Sequence, residues 1–205
     1  MDYLVEAKAS LIAGVIHVKD LVVGVSARHI HLNQETFMSL FGEEATLHKL
    51  KDLRQPGAYS CMETVQIGNS RYSFGNVRVL GPFKSENQIE ISSSDAYFFG
   101  MNAPINKSGD FRNAGTLDVT VDNRTILLSK AVIIPQRHIH VSYAEAERRG
   151  WREDQKVSVL VEGIRGGILH NVHIRTGDYK LELHVDLDDG NAFGIHTGDR
   201  VEIIP

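Results

Sequence analysis

Short apolar runs rich in Val, Ile and Leu recur along the chain, with turn residues between them every 8–12 positions or so. This pattern predicts short strands at Glu63 to Ile67, Tyr72 to Leu80 and Gln88 to Ser92, with Gly81-Pro82 breaking the second from the third. It also predicts a hairpin, Thr116 to Val121 and Arg124 to Leu128, around Asp122-Asn123. Four more strands follow, at Lys156 to Val161, Ile168 to Arg175, Lys180 to Val185 and Val201 to Ile204. Many short strands at this spacing indicate barrels or sandwiches rather than βαβ units. Predicted helices are few and short. Asn33 and Gly42 bracket one, Asp95 to Gly100 forms a helical turn, and Ser142-Tyr143-Ala144-Glu145 reads as a capping box opening a helix that stops at Gly150. Near the start, Leu4, Leu11, Val15 and Val18 share a helical face, weakened by Gly14 and β-branched neighbours. Gly150 and Gly194 each precede a Val by seven residues (Val157, Val201), with Asp154 or Asp199 in the turn between.

A larger repeat organises the chain. Arg28-His29-Ile30-His31 recurs identically as Arg137-His138-Ile139-His140. Each copy follows an apolar, β-branched run, Leu21 to Val25 in one case and Ala131 to Ile134 in the other. Both copies therefore read as strand or strand end. On a strand, residues i and i+2 point to one face ~7 Å apart, so each His pair can converge on one metal ion. Ile30 and Ile139 would then face a core. On a helix the same spacing would splay the imidazoles about 200° apart. One His-x-His is usually a surface pair; a duplicated one favours metal binding.

Composition narrows the picture. The chain has 205 residues, 42% of them hydrophobic, which suffices for one large core or two small ones, and the repeat favours two. A charged fraction of 23% and a formal net charge of −4 argue against disorder and against a generic nucleic-acid binder. The only cysteine is Cys61, so no intrachain disulfide forms and a reducing, cytoplasmic setting fits. No apolar run approaches the roughly 20 residues that span a bilayer. The N-terminus lacks the basic region of a standard secretory signal.

Two imidazoles leave a zinc ion short, since a catalytic site takes three protein ligands and keeps one position open. His184, in the alternating run Leu181 to Asp186, shares a face with Glu182 and Asp186; it reads as a ligand or as an exposed strand histidine. His170 and His173 read as surface residues, His196 as a turn residue and His48 as part of a polar helix or loop. For the first site Glu90 and Glu63 compete, and spacing does not choose between them. Glu35 and Glu145 would fit the first metal motif of a two-cupin dioxygenase or isomerase. Each, however, lies in the first turn of a predicted helix, where capping and the helix dipole explain a carboxylate, and the second cupin motif is missing.

The ordered motifs resemble phosphate propanoyltransferases, the PduL-type phosphotransacylases of bacterial microcompartments, over nearly the whole chain from Val23. The matching stretches are Val23-Gly24-Val25-Ser26, the two Arg-His-Ile-His copies, Lys51 to Gly57, Glu63-Thr64-Val65, Val77 to Pro82, Glu90-Ile91-Ser92 with Asp95-Ala96, Ala103-Pro104, Ser108-Gly109-Asp110 and Leu181 to Asp186. The resemblance implies a mostly β fold of two small β-barrels capped by short helices, pseudo-duplicated, with the metal site between them. It implies interleaved domains: residues 28–135 in one barrel, 18–27 plus 136–205 in the other, and 1–17 as an N-terminal extension. By the same analogy His29, His31 and Glu90 hold one zinc ion, and His138, His140 and His184 hold another.

The implied reaction interconverts a short-chain acyl-CoA (propanoyl-CoA or acetyl-CoA) and phosphate with acyl phosphate and CoA. Lys84 and Ser108 would hold phosphate and the developing oxyanion, with Gln55, Pro56 and Gly57 as the expected coenzyme A contacts. The chain departs from the family pattern at Lys84, where arginine is usual, and at Asn106, where a basic residue is expected. Cys61 reads as a buried small residue, not a nucleophile. The implied partners are small molecules, with a homodimer and microcompartment shell or core proteins, and with neither nucleic acid nor membrane. A structural zinc module or scaffold is the non-enzymatic alternative, disfavoured because neither His-x-His has a fourth Cys or His near it.

Overall fold

The structure, a computed structural model, describes residues 18–204. The helical face through Leu4, Leu11 and Val15, and the N-terminal extension as a whole, lie outside the described residues; Val18 opens a strand. In chain order the elements are β1 (Val18–Ser26), β2 (His29–His31), α1 (Gln34–Phe41), β3 (Lys49–Asp52), β4 (Tyr59–Gly68), β5 (Ser73–Gly81), β6 (Gln88–Glu90), α2 (Ser93–Phe99), β7 (Ile105–Asn106), β8 (Gly115–Val121), β9 (Arg124–Pro135), β10 (His138–Ser142), α3 (Tyr143–Arg149), β11 (Lys156–Val161), β12 (Gly167–Gly177), β13 (Glu182–Asp186), α4 (Leu187–Phe193) and β14 (Arg200–Ile204). Among the described residues no helix is long and apolar enough to cross a membrane.

Two compact units result. The central unit comprises Ser26–Gln136 with Asp186–Asp188; the other comprises the described residues up to Val25, Arg137–Val185 and those from Asp189 onward. In the central unit six strands close a ring, β2-β6-β9-β8-β4-β5 and back to β2, with β3 added beside β4 and β7 beside β9. In the second unit the ring runs β10-β13-β1-β14-β11-β12. The two rings have the same plan. Each His-x-His strand has a parallel neighbour on one side (β5 or β12) and an antiparallel neighbour on the other (β6 or β13). The strand leading into each motif joins the other ring: β1 precedes β2 but closes the ring of β10, and β9 precedes β10 but closes the ring of β2.

Strand alternation fills each interior. Ile30, Phe37, Leu40, Ile67, Ile89 and Leu117 anchor the central core; Leu21, Val23, Ile139, Leu169, Ile174 and Leu183 anchor the other. Each fully buried apolar side chain of this size contributes ~1.5–3 kcal/mol. α1 and α3 end where the sequence predicts. Asn33 Oδ1 accepts from the Thr36 amide at the start of α1, and Gly150 closes α3 in the left-handed conformation. Gly194 has the same positive φ, so the Gly-to-Val echo is a helix stop followed by a turn and a strand.

Other features differ from the sequence reading. The Gln88 strand stops at Glu90, because Ser92 leaves the ladder to cap α2, where Ser92 and Asp95 form a reciprocal capping box. Arg124 to Leu128 and the Ala131 run are one strand, β9, with Lys130 at φ 53 within it. Ser142 accepts from the Glu145 amide, but the Glu145 carboxylate turns to Arg148 and Arg149. α4 was not predicted because Gly190 interrupts its pattern. A Cβ at Gly190 would lie 2.9 Å from Val25 Cγ1, so glycine is required there for packing.

Candidate metal centres

The antiparallel pairing of β2 with β6 sets His29 opposite Glu90 and His31 opposite Gln88. Ile30 and Ile89 point into the barrel, so His29, His31 and Glu90 share its outer face. One ligand atom from each of the three lies within 4.8 Å of the others. His29 Nε2 is 3.3 Å from Glu90 Oε2. Tetrahedral zinc with bonds of ~2.0–2.1 Å sets its donors ~3.3 Å apart, so this pair already has the required spacing. His29 Nδ1 donates to the Ala27 carbonyl at 2.9 Å, which leaves Nε2, facing Glu90, as the nitrogen able to hold a metal. His31 Nδ1 is buried with no hydrogen-bond partner. Burial foremost, then the charge of His29 and that of Lys84, lower the His31 pKa to about 4, so its lone pair is free at neutral pH. Burial alone would lower the His29 pKa too, but the charge and hydrogen bond of Glu90, with the Ala27 carbonyl, hold it above its ordinary value. The donor set and its orientation fit a divalent metal.

Gln88 is the residue that sequence reasoning missed here. It is buried, its Nε2 donates to Glu90 Oε1 at 2.5 Å and to Ser108 Oγ at 2.8 Å, and its Oε1 accepts from the Gly109 amide at 2.7 Å. One amide thus ties Glu90 to the Ser108 turn. Asn106 Nδ2 braces that turn through the carbonyls of Asp110 and Arg112, both at 2.9 Å. The asparagine that stands where a basic residue was expected is therefore a loop brace. The only advance signal for Gln88 was its place two residues before Glu90 on a strand.

The second unit repeats the frame. β10 and β13 set His138 opposite His184 and His140 opposite Glu182, with Ile139 and Leu183 facing the core. Ligand atoms of the three histidines lie within 4.8 Å of one another. Ring centroids are 4.6 Å apart for His138–His140 and His140–His184, and 5.1 Å for His138–His184. Buried Glu182 stands 3.0 Å from His184 Nε2 and orients that ring. Gly24 on β1 makes room for it, since a Cβ there would lie 2.9 Å from Glu182 Oε1. Tyr179 stacks on His140 with centroids 4.1 Å apart, an aromatic wall that sequence alone did not reveal.

The remaining candidates separate cleanly. Lys84 is exposed, but its amide donates to the Leu32 carbonyl at 3.0 Å and its charge reaches His31. Gln55 is buried, while Pro56 and Gly57 are exposed in a turn that leads into Tyr59, the partner of Gly81 on β5. Glu63 is engaged by His48, whose Nδ1 lies 2.7 Å away, and belongs to neither donor group. Glu35 is exposed on α1 and Glu145 faces arginines. His170 is exposed; His173 is half-buried, in register with His138 on β12. Cys61 is buried, and burial first, then the nearby Glu63 charge, push its thiol up to about 11, which removes it as a nucleophile at neutral pH.

The family model described as phosphate propanoyltransferase matches residues 22–196. The chain belongs to the phosphate propanoyltransferase family. Relatives of that name include one from Thermotoga maritima, 43% identical over 186 residues (90% of this chain and 89% of the relative). Another, from Rhodobacter capsulatus, is 38% identical over 182 residues (88% and 85%), and one from Clostridioides difficile is 39% identical over 183 (89% and 88%). As a phosphate propanoyltransferase family member the chain is an acyltransferase of the phosphotransacylase type, acting on small molecules. That membership, with Glu35 and Glu145 outside both donor groups, removes the cupin alternative.

Proposed function

We propose that this phosphotransacylase works with two zinc ions, one held by His29, His31 and Glu90 and the other by His138, His140 and His184. It would interconvert propanoyl-CoA, and acetyl-CoA as a second short-chain substrate, with the acyl phosphate. The observation that carries this reading is the pair of three-donor clusters on matching strand rungs, each with three protein donors as catalytic zinc sites have. In the forward direction a phosphate oxygen attacks the thioester carbonyl carbon, a C–O bond forms, the C–S bond breaks and CoA leaves as thiolate. Bound zinc supplies Lewis acidity towards an acyl or phosphoryl oxygen and affinity for thiolate sulfur.

The protein's own groups supply placement. Lys84 offers a positive charge to phosphate beside His31. Ser108, its Oγ accepting from Gln88, keeps its own proton to donate to phosphate or to the developing oxyanion. Gln88 fixes Glu90 and Ser108 together, so the donor and the oxyanion contact move as one. Gln55, Pro56 and Gly57 would receive coenzyme A. Holding both reactants in line replaces an encounter that free phosphate makes poorly. A homodimer working inside a bacterial microcompartment, beside its shell or core proteins, completes the reading on the strength of the family resemblance.

The test is phosphate-dependent thiol release from propanoyl-CoA with and without a chelator, followed by zinc addition. Activity that falls on stripping and returns with zinc supports the proposal. A metal-free protein with full activity overturns it.

A further inference from the structure

The arginine that opens each copy of the repeated motif ligates nothing, yet it recurs with the histidines. Its partner recurs too. In the central barrel Arg28 grips Asp95, five residues beyond Glu90, with Nε–Oδ2 3.0 Å and Nη2–Oδ1 2.6 Å. In the second barrel Arg137 grips Asp189, five residues beyond His184, with Nη2–Oδ1 2.7 Å. Both aspartates sit in the helix that follows the third donor's strand, α2 or α4. Other contacts hold the arginines in place: Arg28 Cζ lies 4.1 Å from the centroid of Phe74, and Arg137 Nη1 donates to the His170 carbonyl at 3.4 Å. Asp95 is nearly buried and is committed to the capping box of α2.

From this recurrence we infer that Arg28 and Arg137 are positioning residues, each locking its His-x-His strand to the strand–helix corner that carries the third metal donor. The inference rests on the two-metal reading above. The physical need is clear in the central barrel, where β2 and β6 have three residues each and share few ladder hydrogen bonds. A slip of one residue between them would turn Ile89 or Ile91 towards the donors in place of Glu90. A bidentate arginine–carboxylate clamp resists that slip in a way a lysine point charge does not. β10 and β13 share the same three rungs, but β10 also pairs with β12 all along His138–Ser142, whereas β2 pairs with β5 only at His29 and Ile30, so Arg137 has less to hold.

The test uses the full chain, stripped of metal and titrated with zinc against a chromophoric chelator. Arg28→Lys should weaken one of the two bound ions by about 10- to 100-fold and leave the other unchanged, the range typical of groups that orient metal ligands. Arg137→Lys should weaken the other ion, by a smaller factor. Arg→Ala at either position should exceed Arg→Lys. Melting temperatures of the stripped Arg→Lys variants, which keep the charge beside the aspartate, should change little when measured in parallel. Unchanged zinc affinities, or a melting shift without an affinity change, would overturn the clamp and leave the two-metal reading intact. An unmodified protein that takes up no zinc would overturn both, and the control shows that before any substitution is made.

Discussion

The two barrels carry one frame and two chemistries. In each, a His-x-His strand pairs with the strand of the third donor, and the first histidine faces that donor directly. The central barrel has the carboxylate, Glu90, on the rung opposite the first histidine and an amide, Gln88, on the rung opposite the second. The other barrel has an imidazole, His184, on the first of these rungs and a carboxylate, Glu182, on the second. Each centre thus has one buried carboxylate, in the donor set of one and behind a donor of the other. A glutamate donor neutralises part of a metal's charge directly; a glutamate behind a histidine raises the basicity of that ligand instead. The duplicated frame therefore keeps the charge near each donor cluster similar while changing which group would meet a bound metal.

Removing a histidine donor should have the largest effect. His31→Ala and His140→Ala should each cut turnover by about 10³-fold or more, since metal polarisation is worth several kcal/mol, and each should lower bound zinc from two ions to one by elemental analysis. If either variant kept both ions and full turnover, that barrel's centre would be dispensable and the comparison broken. Next come the carboxylates. Glu90→Gln should weaken zinc binding more than Glu182→Gln, for which about 10- to 100-fold is expected from loss of an outer partner. The reverse order in a chelator titration would mean that Glu182 itself ligates. The exchange can also be built: Gln88→Glu with Glu90→His gives the central barrel the residues of the other. The double variant should bind two zinc ions to within about tenfold of the unmodified protein, while Gln88→Glu alone, two carboxylates side by side, should bind less well.

Lys84 sharpens the comparison on the substrate side. Lys84→Ala should raise the KM for phosphate about tenfold, the loss of a charge-assisted contact worth ~1.5 kcal/mol, with little change in the KM for acyl-CoA. Lys84→Arg should be tolerated or should improve phosphate saturation. The smallest effect should come from Glu35→Gln, which only weakens a favourable helix-dipole contact at α1, worth ~0.3–1 kcal/mol and visible in melting temperature alone.

Much of this frame was legible because strand periodicity assigns faces: His29, Ile30 and His31 had to alternate, and Asn33, Gly42, Ser142 and Gly150 marked helix ends by their chemistry. What escaped depended on partners distant in sequence. Gln88 gains its role from the Ser108 turn, Tyr179 from stacking on His140, and Arg28 from Asp95. None of these pairings leaves a local pattern. α4 escaped for the opposite reason, because Gly190 obeys a packing demand from Val25 and violates helix propensity. β3, exposed along its length, offered no apolar alternation to read.

The crossed use of β1 and β9 has a consequence for synthesis. β1 is the first described strand to be made, yet its ring partners are β13 and β14, near the other end of the chain. At ~5–20 residues per second, β1 waits about 10–40 s on the ribosome before its neighbours exist. During that interval the central ring can close without it, since all six of its strands precede β10. The second ring closes only after β14 emerges, pairing Val18 with Ile203 across nearly the full chain, a long-range closure that makes folding slow. Leu21, Val22 and Val23 are meanwhile an open apolar edge, so a nascent chain stalled before β13 would present that strand to any other sheet within reach.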